Sequence, residues 1–127
     1  MAIDNDVLLR DGTAELNSSE ATPTAVDFHG EDLAPTFYQV NIFEASDGTN
    51  ETLDIVIQGS NTSASSGFVD WMTFPQITAV TSTYVDIQRG ICPYRWRRAK
   101  TTVGGTNSPS FHGCIVSVHP AGRDDEK

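Results

Sequence analysis

The stretch Thr52-Leu53-Asp54-Ile55-Val56-Ile57-Gln58 sets Leu53, Ile55 and Ile57 at every second position. A helix needs its apolar residues three and four apart, whereas a spacing of two lines one face of an extended strand. The same alternation recurs on either side. In residues 37–43, Tyr38, Val40 and Ile42 point one way and Gln39 and Asn41 the other. Residues 83–87, 94–102 and 111–118 repeat the pattern. Between these runs lie Asp47-Gly48, Gly59-Ser60-Asn61, Ser66-Gly67, Arg89-Gly90 and Gly104-Gly105. Each supplies a residue that tolerates positive φ or a side chain that bonds its own backbone, which is turn chemistry. Only 28–33 invites a helix, and Gly30 and Pro35 keep it short. The chain therefore reads as all-β, an antiparallel β-sandwich of jelly-roll type built from about eight strands.

The 127 residues suit one domain. Residues 1–35 read as an irregular N-terminal arm whose short strands, near 7–10 and 24–28, are able to join the sandwich. Residues 36–121 read as the sandwich core and 122–127 as a disordered charged tail.

Charge is the unusual part of the composition. Seventeen carboxylates against eight Lys and Arg give −9. A chain of that sign is not drawn to DNA or anionic lipid by its total field. The distribution is uneven: residues 1–88 hold fourteen acidic side chains and one basic, and 89–127 hold seven basic and three acidic. Five of the eight cations lie between Arg89 and Lys100. The opening residues carry no cationic-then-apolar leader, and no apolar run reaches the ~20 residues of a membrane span, so cytoplasmic synthesis is expected. In that setting Cys92 and Cys114 are expected as free thiols.

Catalytic machinery is not legible. GxSxG, HExxH and paired CxxC patterns are missing, and Val103-Gly104-Gly105-Thr106 lacks the Lys-Ser/Thr of a phosphate cradle. His112 and Cys114 share a strand parity, which an ordinary strand face explains without a metal. Catalytic residues, metal ligands and cofactors are therefore all expected to be none. Among the aromatics, Tyr38, Trp71, Phe74, Tyr84 and Trp96 are expected in the core. Tyr94-Arg95-Trp96-Arg97-Arg98-Ala99-Lys100 interleaves cations with aromatics. On a strand, Tyr94 and Trp96 share one face, expected to be buried, and Arg95, Arg97 and Ala99 share the other. That cationic face suits an acidic protein surface through charge-assisted pairs.

The order of these motifs carries a resemblance. It runs from Val26-Asp27-Phe28 through Thr52-Leu53-Asp54-Ile55-Val56-Ile57-Gln58-Gly59-Ser60, Phe74-Pro75-Gln76-Ile77-Thr78 and Tyr94-Arg95-Trp96-Arg97-Arg98 to Ser108-Pro109-Ser110-Phe111. Over residues 7–118 the chain resembles the Bbp16-like capsid cement (decoration) proteins of tailed double-stranded DNA bacteriophages. Its Asn61–Gly67 loop departs from the Asp-Gly turn expected there. The resemblance implies a virion protein on the outer capsid surface, without enzymatic activity, that clamps neighbouring copies of the major capsid protein on the expanded head. It implies a homo-oligomer, a dimer ahead of a trimer, with no membrane and no direct nucleic-acid partner. Arg89, Arg95, Arg97, Arg98 and Lys100 are the expected capsid-binding residues, and the arm is expected to fold onto a neighbour. A carbohydrate-binding jelly roll displayed on a virion for host adhesion, using Trp71 or Trp96, is the alternative.

Overall fold

The computed structural model describes residues 7–45, 51–78, 83–105 and 110–120. Among them are eleven strands and no helix. In chain order these are β1 (Val7–Asp11), β2 (Val26–Asp27), β3 (Thr36–Ile42), β4 (Glu44–Ala45), β5 (Thr52–Ser60), β6 (Val69–Thr73), β7 (Ile77–Thr78), β8 (Tyr84–Gly90), β9 (Trp96–Gly104), β10 (Phe111–His112) and β11 (Ile115–Pro120). The segment 28–33 forms no helix, because His29 and Gly30 take positive φ of 65° and 155°.

All strand pairs are antiparallel. One sheet has the order β1-β11-β3-β8, and another the order β2-β9-β5-β6 with β7 also paired to β5. A small third sheet joins β10 to β4. The alternation in the sequence places the core. Tyr38, Val40 and Ile42 of β3 and Leu53, Ile55 and Ile57 of β5 are fully buried. They share one cluster with Leu9, Met72, Ala99, Val116 and Val118, so the two large sheets bury their facing sides against each other. Full burial of each such aliphatic side chain stabilises the fold by ~1.5–3 kcal/mol. The register of β5 on β6 shifts between Ile57 and Gln58. Beyond that irregularity alternation ceases, and Gln58, Gly59 and Ser60 are all buried.

Residues 7–35, expected to reach toward a neighbour, are engaged with their own body. β1 and β2 are edge strands of the two large sheets. The chain between them straps one layer to the other. Leu16 exchanges two backbone hydrogen bonds of 2.9 Å with Phe111, and Glu20 exchanges two of 3.1 Å with Thr101. The Arg10 guanidinium holds Glu20 through Nε at 3.0 Å and Nη2 at 3.1 Å, and donates to the Cys114 carbonyl at 2.9 Å. With Leu16 only 1% exposed, the strap contributes a side chain to the core. The run expected as one strand over 111–118 is divided by Gly113, whose φ is +64°. His112 and Cys114 therefore do not share a strand face. His112 pairs with Glu15 at 3.3 Å, and Cys114 is buried. The charged tail at 122–127 and the Asp47-Gly48 turn lie outside the described residues.

Candidate functional site

β9 is the strand that gathers the cations, and its two faces meet opposite environments. Arg97, Ala99 and Thr101 point inward and are at most 1% exposed, whereas Trp96, Arg98 and Lys100 are half-buried on the outer side. The expected facing is thus reversed: the Arg97–Ala99 face is core, and the Trp96 face is not. Trp96 is accordingly absent from the core cluster. Of the other expected core aromatics, Tyr38 and Phe74 are buried, and Trp71 and Tyr84 pack against the cluster from its margin. Trp71 meets Tyr38 edge-on, with ring centroids 5.3 Å apart.

Arg97 can enter the core because the 28–36 loop delivers a carboxylate to it. Its Nη2 stands 2.9 Å from Asp32 Oδ1. Nη1 donates to the Tyr38 hydroxyl at 2.8 Å, Nε to the Tyr94 carbonyl at 2.9 Å, and Nη2 also to the Gly30 carbonyl at 3.2 Å. The guanidinium lies 4.1 Å from the Phe28 ring centre. Asp32 Oδ2 accepts from the Thr36 hydroxyl at 3.0 Å and the Cys92 N–H at 2.8 Å. Each face of this buried pair is bonded to the protein's own groups, which is what lets two charges leave water. Arg97 is therefore a clasp between loop and strand and corrects the expectation of a surface anchor. Burial pushes the Tyr38 phenol well above its ordinary range.

Arg95 is also committed. Its Nε and Nη2 form a two-pronged pair with Asp27 at 2.7 and 2.8 Å, and its guanidinium sits 4.7 Å from the Trp96 ring centre. The Arg95 hydrogen bonds, with a further one from the His29 backbone N–H, hold the Asp27 carboxyl far below the usual carboxylate range. One face of Trp96 is thereby occupied.

Arg98 stands apart. Its Nε donates to Gln58 Oε1 at 2.8 Å, and Gln58 in turn donates to Asp70 Oδ1 at 2.8 Å. Its guanidinium lies 4.0 Å from the Phe68 ring centre. Burial pulls its pKa below the ordinary value, and it forms no ion pair among the described residues. Lys100 follows two residues along the same outer face, where Val56 is its neighbour across the ladder. Arg89 lies on the other sheet, exposed on β8 opposite Phe37. The five expected contact residues thus separate: Arg95 and Arg97 are spent internally, Arg98 and Lys100 share a face, and Arg89 lies elsewhere.

The supports of Arg98 were not legible beforehand. Gln58 reads as a strand residue and Phe68 as a loop residue, and only the β5–β9 register sets Gln58 opposite Arg98. Among the described residues no three His, Cys, Asp or Glu side chains gather as metal ligands, and no helix is long and apolar enough to cross a membrane. No family model, curated protein or solved structure matches the chain.

Proposed function

We propose that this protein is a capsid cement subunit of jelly-roll type that docks on the major capsid protein through the outer face of β9. One observation carries the reading. In a chain with a net charge of −9, Arg98 is pinned by Gln58 and stacked on Phe68, yet it has no carboxylate of its own among the described residues. A guanidinium held this way has already lost much of its rotamer freedom, so an incoming carboxylate meets it at lower entropic cost. Lys100 beside it widens the positive strip. Arg of this kind is the residue type that anchors interfaces.

Strand order supports the jelly-roll part. With the short β4, β7 and β10 set aside, the remaining eight strands form two four-stranded antiparallel layers, β1-β11-β3-β8 and β2-β9-β5-β6. Successive strands of these eight alternate between layers except at β5 and β6, which pair within one layer, an order that fits two interleaved Greek keys. The motif order resembling cement proteins supports the partner. Many copies on a repeating shell let a modest affinity per subunit hold neighbouring capsid proteins together. The carbohydrate alternative has less support, because Arg95 covers one face of Trp96 and Trp71 packs edge-on against Tyr38.

The test is co-sedimentation with purified expanded and unexpanded heads. Wild-type protein is expected to bind expanded heads and raise the temperature at which they release DNA. Arg98→Ala is expected to lower occupancy at least tenfold while leaving the melting of the free protein within a few degrees. Full occupancy by Arg98→Ala removes the β9 face from the interface, and heads that gain no stability from the wild type overturn the cement reading.

A further inference from the structure

Four strands end the two large sheets, and three of them are guarded. β1 has a register shift between Leu8 and Arg10, and the strap carrying Glu20 is tied to it by Arg10. β2 is two residues long. β6 is irregular against β5, with Asp70 near the shift. Such bulges, short lengths and charges are how sheet edges avoid further pairing.

β8 carries two charges, Asp86 and Arg89, but it is neither short nor bulged. It pairs with β3 over seven consecutive residues, from Tyr84 opposite Ile42 to Gly90 opposite Thr36, with no register shift. Among the described residues, no strand pairs with its outer edge. Val85 and Ile87, on the outward side, are each 52% exposed. Ile87 also borders a shallow depression shared with Phe37, Gln39 and His119. A long, regular edge with β-branched residues in water is a template for one more strand.

We propose that a second copy of this chain supplies that strand, β8 pairing antiparallel with β8 about a two-fold axis at Ile87. The strand's own charges favour this register. Centred on Ile87, all seven residues pair: Tyr84 meets Gly90, Val85 meets Arg89, Asp86 meets Gln88, and Ile87 meets itself. Asp86 then faces an amide donor twice, and no like charges stand directly opposite. Centring the axis on Asp86 sets two carboxylates face to face, which is unfavourable. Centring it on Gln88 leaves Tyr84 and Val85 beyond the paired strand. A two-fold contact needs a self-complementary patch, and this strand is one. The β1-β11-β3-β8 sheets of the two copies then become one continuous sheet, and Ile87 of each copy buries its exposed half against the other.

This inference stands apart from the capsid reading, and its test contains no heads. Sedimentation of the protein at micromolar concentration is expected to give twice the chain mass, and Ile87→Lys is expected to give a folded monomer with an unchanged far-ultraviolet circular dichroism spectrum, whose melting temperature no longer depends on concentration. Gln88→Asp sets Asp86 against a second carboxylate at both symmetric positions and raises the dissociation constant about tenfold. Ile87→Cys, at the axis, forms an oxidised covalent dimer, since opposite Cα atoms in an antiparallel pair lie at ~4.5–5.5 Å. Ile91→Cys, just past the strand and 55% exposed, remains monomeric on oxidation. A wild-type monomer overturns the pairing, as does equal cross-linking by both cysteine variants.

Discussion

Arg97 and Arg98 are adjacent cations with opposite fates. Arg97 is 1% exposed and bonded on every side. Removing one member of a buried ion pair leaves the other charge unsolvated, so Arg97→Ala is expected to destabilise the protein by ~3–5 kcal/mol in urea titration. Arg98→Ala leaves no stranded charge, and its effect belongs to docking. The Asp27–Arg95 pair gives a pH prediction. Because the folded-state carboxyl is depressed, its stabilising effect is complete above the ordinary Asp value of about 4 and is lost as pH falls far below it. NMR titration should find Asp27 still ionised at pH 3, and Arg95→Gln should move its midpoint back toward the ordinary range. The thiols behave in the opposite sense. Burial pushes Cys114 up to about 11 and also raises Cys92. The stability they contribute is full below the ordinary thiol value of ~8.5 and declines as pH climbs toward that raised value. At neutral pH a thiol reagent should label neither cysteine until the protein unfolds; fast labelling of the native state contradicts this burial.

At the scale of the element, alternation located the strands well but misjudged which face of β9 turns inward. Leu53, Ile55 and Ile57 alternate with more polar neighbours, so only one facing buries apolar area, and the structure has it. β9 offers a balanced choice, with aromatics on one side and Arg97, Ala99 and Thr101 on the other. Asp32 decides it, arriving from a loop 65 positions earlier to neutralise Arg97. A partner so distant leaves no local periodic signal. Gly59 marks a second long-range constraint, since a Cβ there would stand 2.6 Å from Tyr94 Cβ. Gly59→Ala is expected to displace Tyr94 and cost ~1–3 kcal/mol, read as a lowered melting temperature with altered near-ultraviolet circular dichroism. An unchanged melting curve shows that Tyr94 moves aside freely.

Over the whole molecule, the charge division seen in the sequence is partly cancelled in space. Asp27 and Asp32 from the acidic part meet Arg95 and Arg97 from the basic part at 2.7 and 2.9 Å. What remains positive on β9's outer side is Arg98 and Lys100, a narrower patch than five neighbouring cations suggest. If that patch meets capsid carboxylates, head affinity should fall as salt rises, and Arg98→Ala should flatten the dependence. The place of β11 bears on how the molecule is made. It lies between β1 and β3, and among the described residues β1 has no other sheet neighbour. Of the described strands β1 leaves the ribosome first, and its partner β11 follows more than 100 residues later. That order of events predicts slow closure with high contact order, a nascent chain that exposes its β3 edge meanwhile, and a need for chaperone shelter during synthesis.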